Sequence, residues 1–486
     1  MSSQTIQRYP RRRNPSTSTH LKDQVMNKEK ISRRNFLKSS AFSAAILGTA
    51  AAGCAPKSAK PASPASEGPT GKMTYRKDPK TGKDVSILGY GCMRWPMIKD
   101  ENGKNIVDQE TVNQLVDHAI ANGVNYFDTA PVYLQGQSEK ATGIALKRHP
   151  RESFFFSTKL SNFQPHMQTF EASKAMYENS FKQMDVDYID FYLLHNMNGF
   201  DAFKKRFKDN GILDYLIKER EKGKIRHLGF SYHGQVEGLI DILKVHDEYV
   251  KENNKPLWDF VLIQLNWMDW NHARFGTHAS LQYAELEKRN IPVQVMEPLL
   301  GGRLSKVPQY IAERLKEREP DSSVASWAFR FAGSHKGILT VLSGMTYLEH
   351  LQDNLKTYSP LKPLDEDEFA FLEETAEIMS KYPLINCNDC KYCMPCPYGL
   401  DIPAILLHYN KCVNEGNISK SSQDENYRKA RRAYLVGYDR AVPKLRQADR
   451  CTNCGQCNEH CPQKINIPQE LNKINDYLEA LKRETL

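Results

Sequence analysis

Eight apolar, strand-like runs, each followed by a helix-favouring stretch, and then two tight cysteine runs, predict an α/β chain. The class is a closed (β/α)8 TIM barrel with a mainly helical second domain behind it. An open doubly wound sheet is the competing arrangement, but no G-x-G-x-x-G follows any early strand.

The runs come in order as VSILGYGCM (85–93), NYFDTA (125–130), FFFSTKL (154–160), DYIDFYLLH (187–195) and KIRHLGFS (224–231). FVLIQLNW (260–267), PVQVMEPL (292–299) and GILTVLS (337–343) complete the set. Their near-continuous apolar character is that of parallel strands covered on both faces. An amphipathic stretch at 365–382 then predicts a helix that packs on the barrel and leads into the tail.

The chain divides at 1–54 (signal), 55–72 (flexible linker), 73–360 (barrel), 361–382 (connecting helix) and 383–486 (cysteine-rich domain). Ser32 to Cys54, SRRNFLKSSAFSAAILGTAAAGC, pairs Arg33–Arg34 with an apolar, small-residue tail and resembles a twin-arginine export signal. Its ending resembles a lipoprotein box with Cys54 as lipid acceptor; plain cleavage near Ala52 is the alternative. Met1 and Met26 are both candidate starts. Residues 1–53 hold ten basic side chains against Asp23 and Glu29, which accounts for eight of the formal +9 charge. The basic balance therefore belongs to targeting and gives no support to a nucleic-acid partner. The expected location is the periplasm, free or anchored to the membrane by lipid.

Eight of eleven cysteines form the two C-terminal runs. CNDCKYCMPCP carries Cys387, Cys390, Cys393 and Cys396; CTNCGQCNEHCP carries Cys451, Cys454, Cys457 and Cys461. The second has the C-x2-C-x2-C-x3-C-P spacing of bacterial ferredoxins, and eight thiolates suffice for two [4Fe–4S] clusters. Zinc, held by paired C-x2-C elements, is the alternative occupant. With ligands crossing over as in two-cluster ferredoxins, Cys387, Cys390, Cys393 and Cys461 hold one cluster. Cys451, Cys454, Cys457 and Cys396 then hold the other. The 54 intervening residues carry helical patterns, which predicts a helical ferredoxin-like domain. Cys92 and Cys412 stand alone and read as structural.

Barrel enzymes carry their chemistry where strands end. Those positions bring Asp128, Lys159, His195, Ser231, Gln264 and Glu297 to one mouth, with Tyr133 in the loop after Asp128. Tyrosine is a poor acid at neutral pH. A neighbouring Lys159, oriented by Asp128, is expected to lower the phenol's pKa, while His195 polarises a carbonyl oxygen. The set suits interconversion of a small carbonyl compound and its alcohol.

NYFDTAPVY, FFFSTKL, DYIDFYLLH and GKIRHLGFS, in that order, resemble the motifs of the aldo-keto reductase family over about residues 73–360. The resemblance implies a catalytic tetrad of Asp128, Tyr133, Lys159 and His195, and an NAD or NADP cofactor. It places Ser231 and Gln264 at the nicotinamide amide. Pro298, Leu299 and Gly301 fall near the pyrophosphate, with Ser343, Asp353 and Asn354 near the adenine ribose. The pattern departs where Tyr232 follows Ser231 and where Met296-Glu297 precedes Pro298. Gly344, Met345 and His350 stand where basic residues usually hold a 2′-phosphate, and NAD and NADP both stay open.

The combined expectation is an exported oxidoreductase that exchanges electrons with a redox partner through its clusters. Clusters are built before export, so a route that carries folded proteins fits both ends of the chain. The alternative is an electron-transfer module whose barrel is a non-catalytic scaffold. Loops 196–212, 267–280 and 300–320 would set substrate specificity.

Overall fold

Eight parallel strands close into a ring in the order of the sequence. They are β1 (Leu88–Gly91), β2 (Tyr126–Asp128), β3 (Phe155–Leu160), β4 (Ile189–Met197), β5 (Ile225–Tyr232), β6 (Phe260–Gln264), β7 (Val293–Met296) and β8 (Ile338–Ser343). The computed structural model describes residues 71–273 and 278–486. The export signal with Cys54, both candidate start methionines and nearly all of the linker lie outside the described residues.

Every expected strand is present in its expected order. The short second one stops at Asp128 because Thr129 turns its carbonyl to the Lys159 ammonium, 2.7 Å away. Register pairs Gly91 with Asp128, Asp128 with Ser157, Lys159 with Leu193, Leu262 with Ser231 and Gln264 with Met296. These pairings bring the polar strand ends to one rim.

The barrel interior is filled by Tyr126, Phe155, Phe191, Leu193, Phe260, Leu262, Leu339 and Leu342. Val85 joins them from an N-terminal hairpin, Tyr75–Lys77 paired with Asp84–Ser86, that plugs the lower end. The Asp78 carboxylate at its turn meets His227 Nε2 of β5 at 2.9 Å. With that end filled, the upper rim is left for chemistry.

Helix Glu366–Ser380 begins with a full capping box, Asp365 and Glu368 bonding each other's backbone N–H. Glu368 then accepts from the buried Arg330 guanidinium at 2.6 and 2.7 Å, which fastens this helix to Val324–Ser334 of the barrel's outer layer. Helices Ile402–Asn414, Tyr427–Ala441 and Ile467–Arg483 follow. The last buries Ile467, Leu471, Ile474, Leu478 and Leu481, a helical-period stripe. These side chains belong to the same apolar cluster as the barrel's helical layer, so the cysteine-rich region is packed onto the barrel.

Candidate active site

Asp128 and Lys159 end adjacent strands, and the ammonium lies 2.5 Å from Asp128 Oδ1 with both side chains buried. Asp128 Oδ2 accepts from the Ser157 hydroxyl at 2.8 Å. Lys159 Nζ stands 4.9 Å from the centroid of the Tyr133 ring. The His195 ring meets Tyr133 edge-on at 5.8 Å between centroids. All four expected catalytic side chains therefore converge at the upper rim.

His195 is braced from behind. Its Nδ1 lies 2.6 Å from the Ser161 hydroxyl, and its carbonyl accepts from Arg206 Nη2 at 2.8 Å. Burial, with Lys159, His233 and Arg206 adding to it, holds the imidazole neutral well below its ordinary pKa. If Ser161 donates to Nδ1, Nε2 carries the hydrogen and is a donor.

The Tyr133 phenol departs from the expectation. Burial pushes its pKa well above the ordinary value, and Asp128, Glu297, Cys92 and Cys390 push the same way. The expected lowering by Lys159, whose ammonium bonds Asp128 and the Thr129 carbonyl, does not outweigh that burial. Tyr133 thus keeps its proton and is a donor rather than a ready base.

Cys461 of the second run lies with the first three cysteines of the first. Cys387, Cys390, Cys393 and Cys461 line one pocket together with Pro403, Leu406, Ile465 and Ile467. Asp389 and Lys391 take left-handed φ values of 55° and 64°, which wind the loop around that pocket. Burial raises the Cys387 thiol to about 11 and Cys390 to about 12. Burial raises Cys457 to about 11, and Cys451, Cys454 and Cys396 lie near enough to add to that shift. Among the described residues no three His, Cys, Asp or Glu side chains surround a single metal ion. The thiols of the first set instead ring a volume, and an all-sulfur donor set fits iron–sulfur clusters. Cys92 and Cys412 are buried, the latter thiol raised to about 12 by burial, as structural cysteines should be.

The residues expected to hold a nucleotide are present but already bonded within the protein. Ser231 Oγ accepts from the Asn196 N–H at 2.7 Å. Gln264 donates to Asp269 at 2.6 Å and accepts from Gln463 at 2.9 Å. Pro298 and Leu299 follow Glu297, whose carboxyl accepts from Asn388 Nδ2 at 2.9 Å. Gly301 abuts the backbone of Asn388. Ser343 and Asn354 bond each other at 2.9 Å, and Asp353 accepts from Ser323, the cap of helix Val324–Ser334, at 2.7 Å.

Sequence reasoning missed Asn388, Gln463, Tyr392, Arg94 and Ser161. Tyr392 lies between Cys390 and Cys393 and packs on Phe163 at 6.0 Å; Phe163 in turn lies 5.0 Å from His195. The cysteine spacing located that loop, but nothing in it shows that the loop reaches the barrel rim. Trp267 and Trp270, in the 267–280 loop expected to set specificity, are packing residues, the latter stacked on His335 at 4.4 Å.

A parallel barrel with a Lys–Asp pair, a tyrosine and a neutral histidine at its rim, and a cysteine-rich domain beside it, defines an oxidoreductase with a 4Fe-4S domain. The chain belongs to the aldo/keto reductase family, whose profile matches residues 88–377. A 4Fe-4S dicluster domain matches residues 386–466. Glyoxal reductase of Bacillus subtilis is 30% identical over 271 residues, covering 54% of this chain and 83% of that protein. The uncharacterized oxidoreductase YqkF of Bacillus subtilis is 23% identical over 339 residues, 64% of this chain and 99% of that one. The solved aldo-keto reductase AKR11C1 from Bacillus halodurans is also similar, with 22% identity and a TM-score of 0.49, covering 62% of this chain and 96% of that one.

Proposed function

We propose that the chain interconverts a small carbonyl compound and its alcohol at the barrel rim, and that its two cysteine sets hold two [4Fe–4S] clusters for electron exchange with a redox partner. The observation that carries this reading is the convergence of Tyr133, His195 and the buried Lys159–Asp128 pair on one rim, with the Cys390 loop beside it.

In this reading Tyr133 donates its proton to the carbonyl oxygen as negative charge develops there. Burial keeps the phenol protonated, the state from which it can donate. His195, neutral and braced by Ser161, donates a hydrogen bond to the same oxygen and orients it. Lys159 and Asp128 hold a fixed positive-to-negative dipole beneath the tyrosine ring. Clusters bound by the cysteine sets would supply one-electron transfer. The groups that the resemblance assigns to a nicotinamide are bonded to other groups of the protein.

Those engaged groups also favour a second reading, an electron-transfer module with an idle barrel. Tyr133→Phe separates the two. With small carbonyl substrates and a chemical one-electron donor, the enzyme reading expects turnover to fall by about 10²-fold or more, with iron content unchanged. Equal rates in the variant and the parent would sink it.

The export signal over residues 1–54, the linker to 72, the barrel to 360, the connecting helix to 382 and the cluster domain beyond form part of the same proposal. The product is periplasmic, free or anchored at Cys54. Cell fractionation tests this: unprocessed protein in the cytoplasm contradicts it.

A further inference from the structure

In barrels of this kind the loops after the seventh and eighth strands commonly seat a cofactor's phosphates. Here the chain's own cysteine loop sits on them. We propose that this protein takes up no nicotinamide dinucleotide at its barrel rim, because segment 386–392 permanently occupies that face.

Gly301, in the loop after β7, takes a left-handed φ of 66°; a Cβ there would lie 2.3 Å from the Asn388 carbonyl oxygen and 2.4 Å from its Cα. The missing side chain thus admits protein backbone, in the place where a pyrophosphate would need the same clearance. Arg303, two residues on, donates to Asn386 Oδ1 at 2.9 Å. On the side of β8, Gly344 faces the Arg94 side chain, whose Cδ a Cβ would meet at 3.2 Å. Arg94 in turn donates to the Asn388 carbonyl at 2.8 Å and pairs with Asp389 at 3.4 Å. Both arginines near this face are therefore bonded to the cysteine loop.

The nicotinamide end is closed in the same way. Glu297 brings a carboxyl to this face and bonds Asn388, while Gln264 has its amide bonded at both ends, by Asp269 and by Gln463. Asn388 is 4% exposed and Gln463 9%. A side-chain rotation cannot move the Asn388 backbone off Gly301, where even a Cβ would find no room; the whole loop would have to leave, and with it Cys387 and Cys390, which line the first cluster pocket.

The exclusion stands whether or not the proposed carbonyl chemistry is right; only the electron balance rests on that reading. Reduction of a carbonyl to an alcohol takes two electrons and two protons. Without a hydride donor, the electrons arrive singly from a one-electron carrier outside the chain. Tyr133 supplies one proton and solvent the other.

The test uses the full chain, loaded with its clusters and kept anaerobic, with iron content and visible spectrum verified on the same sample. NADH, NADPH and their oxidised forms are added to about 1 mM, a concentration that would fill even a weak site by half. Hydrogen exchange is followed across 299–304 and 386–392. The proposal expects no added protection in either segment over the nucleotide-free sample, and no nucleotide released when protein from its native compartment is denatured. Protection of 299–304 by any of the four nucleotides overturns it, as does near-stoichiometric nucleotide released on denaturation. Loss of turnover in Tyr133→Phe tests the carbonyl reading separately, so either can fail alone.

Discussion

Replacing Lys159 with Met leaves Asp128 buried with only the Ser157 hydroxyl for a partner. Replacing Asp128 with Leu leaves Lys159, among its described hydrogen-bond partners, the Thr129 carbonyl. At 2.5 Å, and with the effective dielectric of about 20 that suits protein sites, the pair attracts by about 7 kcal/mol. Desolvation of the two ions, at several kcal/mol each, cancels much of that. Each single variant should therefore lose about 3–5 kcal/mol, the cost of an uncompensated buried charge, while Lys159→Met with Asp128→Leu should lose much less than the sum. Urea unfolding of the cluster-loaded protein, followed by the five tryptophans, reads these differences as midpoint shifts at constant slope. A double variant whose loss equals the sum of the singles within about 0.5 kcal/mol would show no coupling and refute the reasoning.

His335 is packed between Trp270, Phe331 and Phe369, and burial lowers its pKa to about 4. Its neutral form is favoured in the fold, so its contribution is complete above the unfolded value near 6.5 and is lost as pH falls toward 4. His335→Phe should therefore lose about 2 kcal/mol less than the parent between pH 7 and pH 5; equal losses in urea melts would count against this packing. In the crossed ligand sets, Cys461→Ser and Cys387→Ser should abolish the same electron paramagnetic resonance signal, and Cys396→Ser the other one. Cys461→Ser matching Cys454→Ser instead would mean that each run holds its own cluster. Arg330→Met should cost about 3 kcal/mol by leaving the buried Glu368 only the Asp365 N–H and the Lys362 ammonium 3.9 Å away, seen as a lower thermal midpoint; a midpoint within a degree of the parent's would contradict it.

The barrel was readable because strands covered on both faces leave continuous apolar runs, as in Phe155–Leu160, where all six residues are buried. The rim residues followed from position alone, since a side chain at the end of a parallel strand must face that rim. Cysteine spacing is equally local: three residues per step bring thiols round one volume whatever surrounds them. Tyr133 shows the limit of such reading. Its proximity to Lys159 was legible, but the sign of its pKa shift depends on burial and on what else Lys159 bonds, and both are properties of the packed rim.

Gly301 shows that limit most sharply. The glycine announces that something approaches the backbone closely, and a phosphate or a peptide would require the same absent Cβ. That the visitor is Asn388, eighty-seven positions along the chain, depends on how the helices from Glu366 onward turn the cysteine loop back over the rim. Strand order, rim chemistry and ligand spacing are encoded by short-range pattern and so were present in the sequence. Which part of the chain covers the rim is a long-range packing outcome, set by buried apolar area and by bonds such as Arg94 to Asn388 that join residues with no local signature.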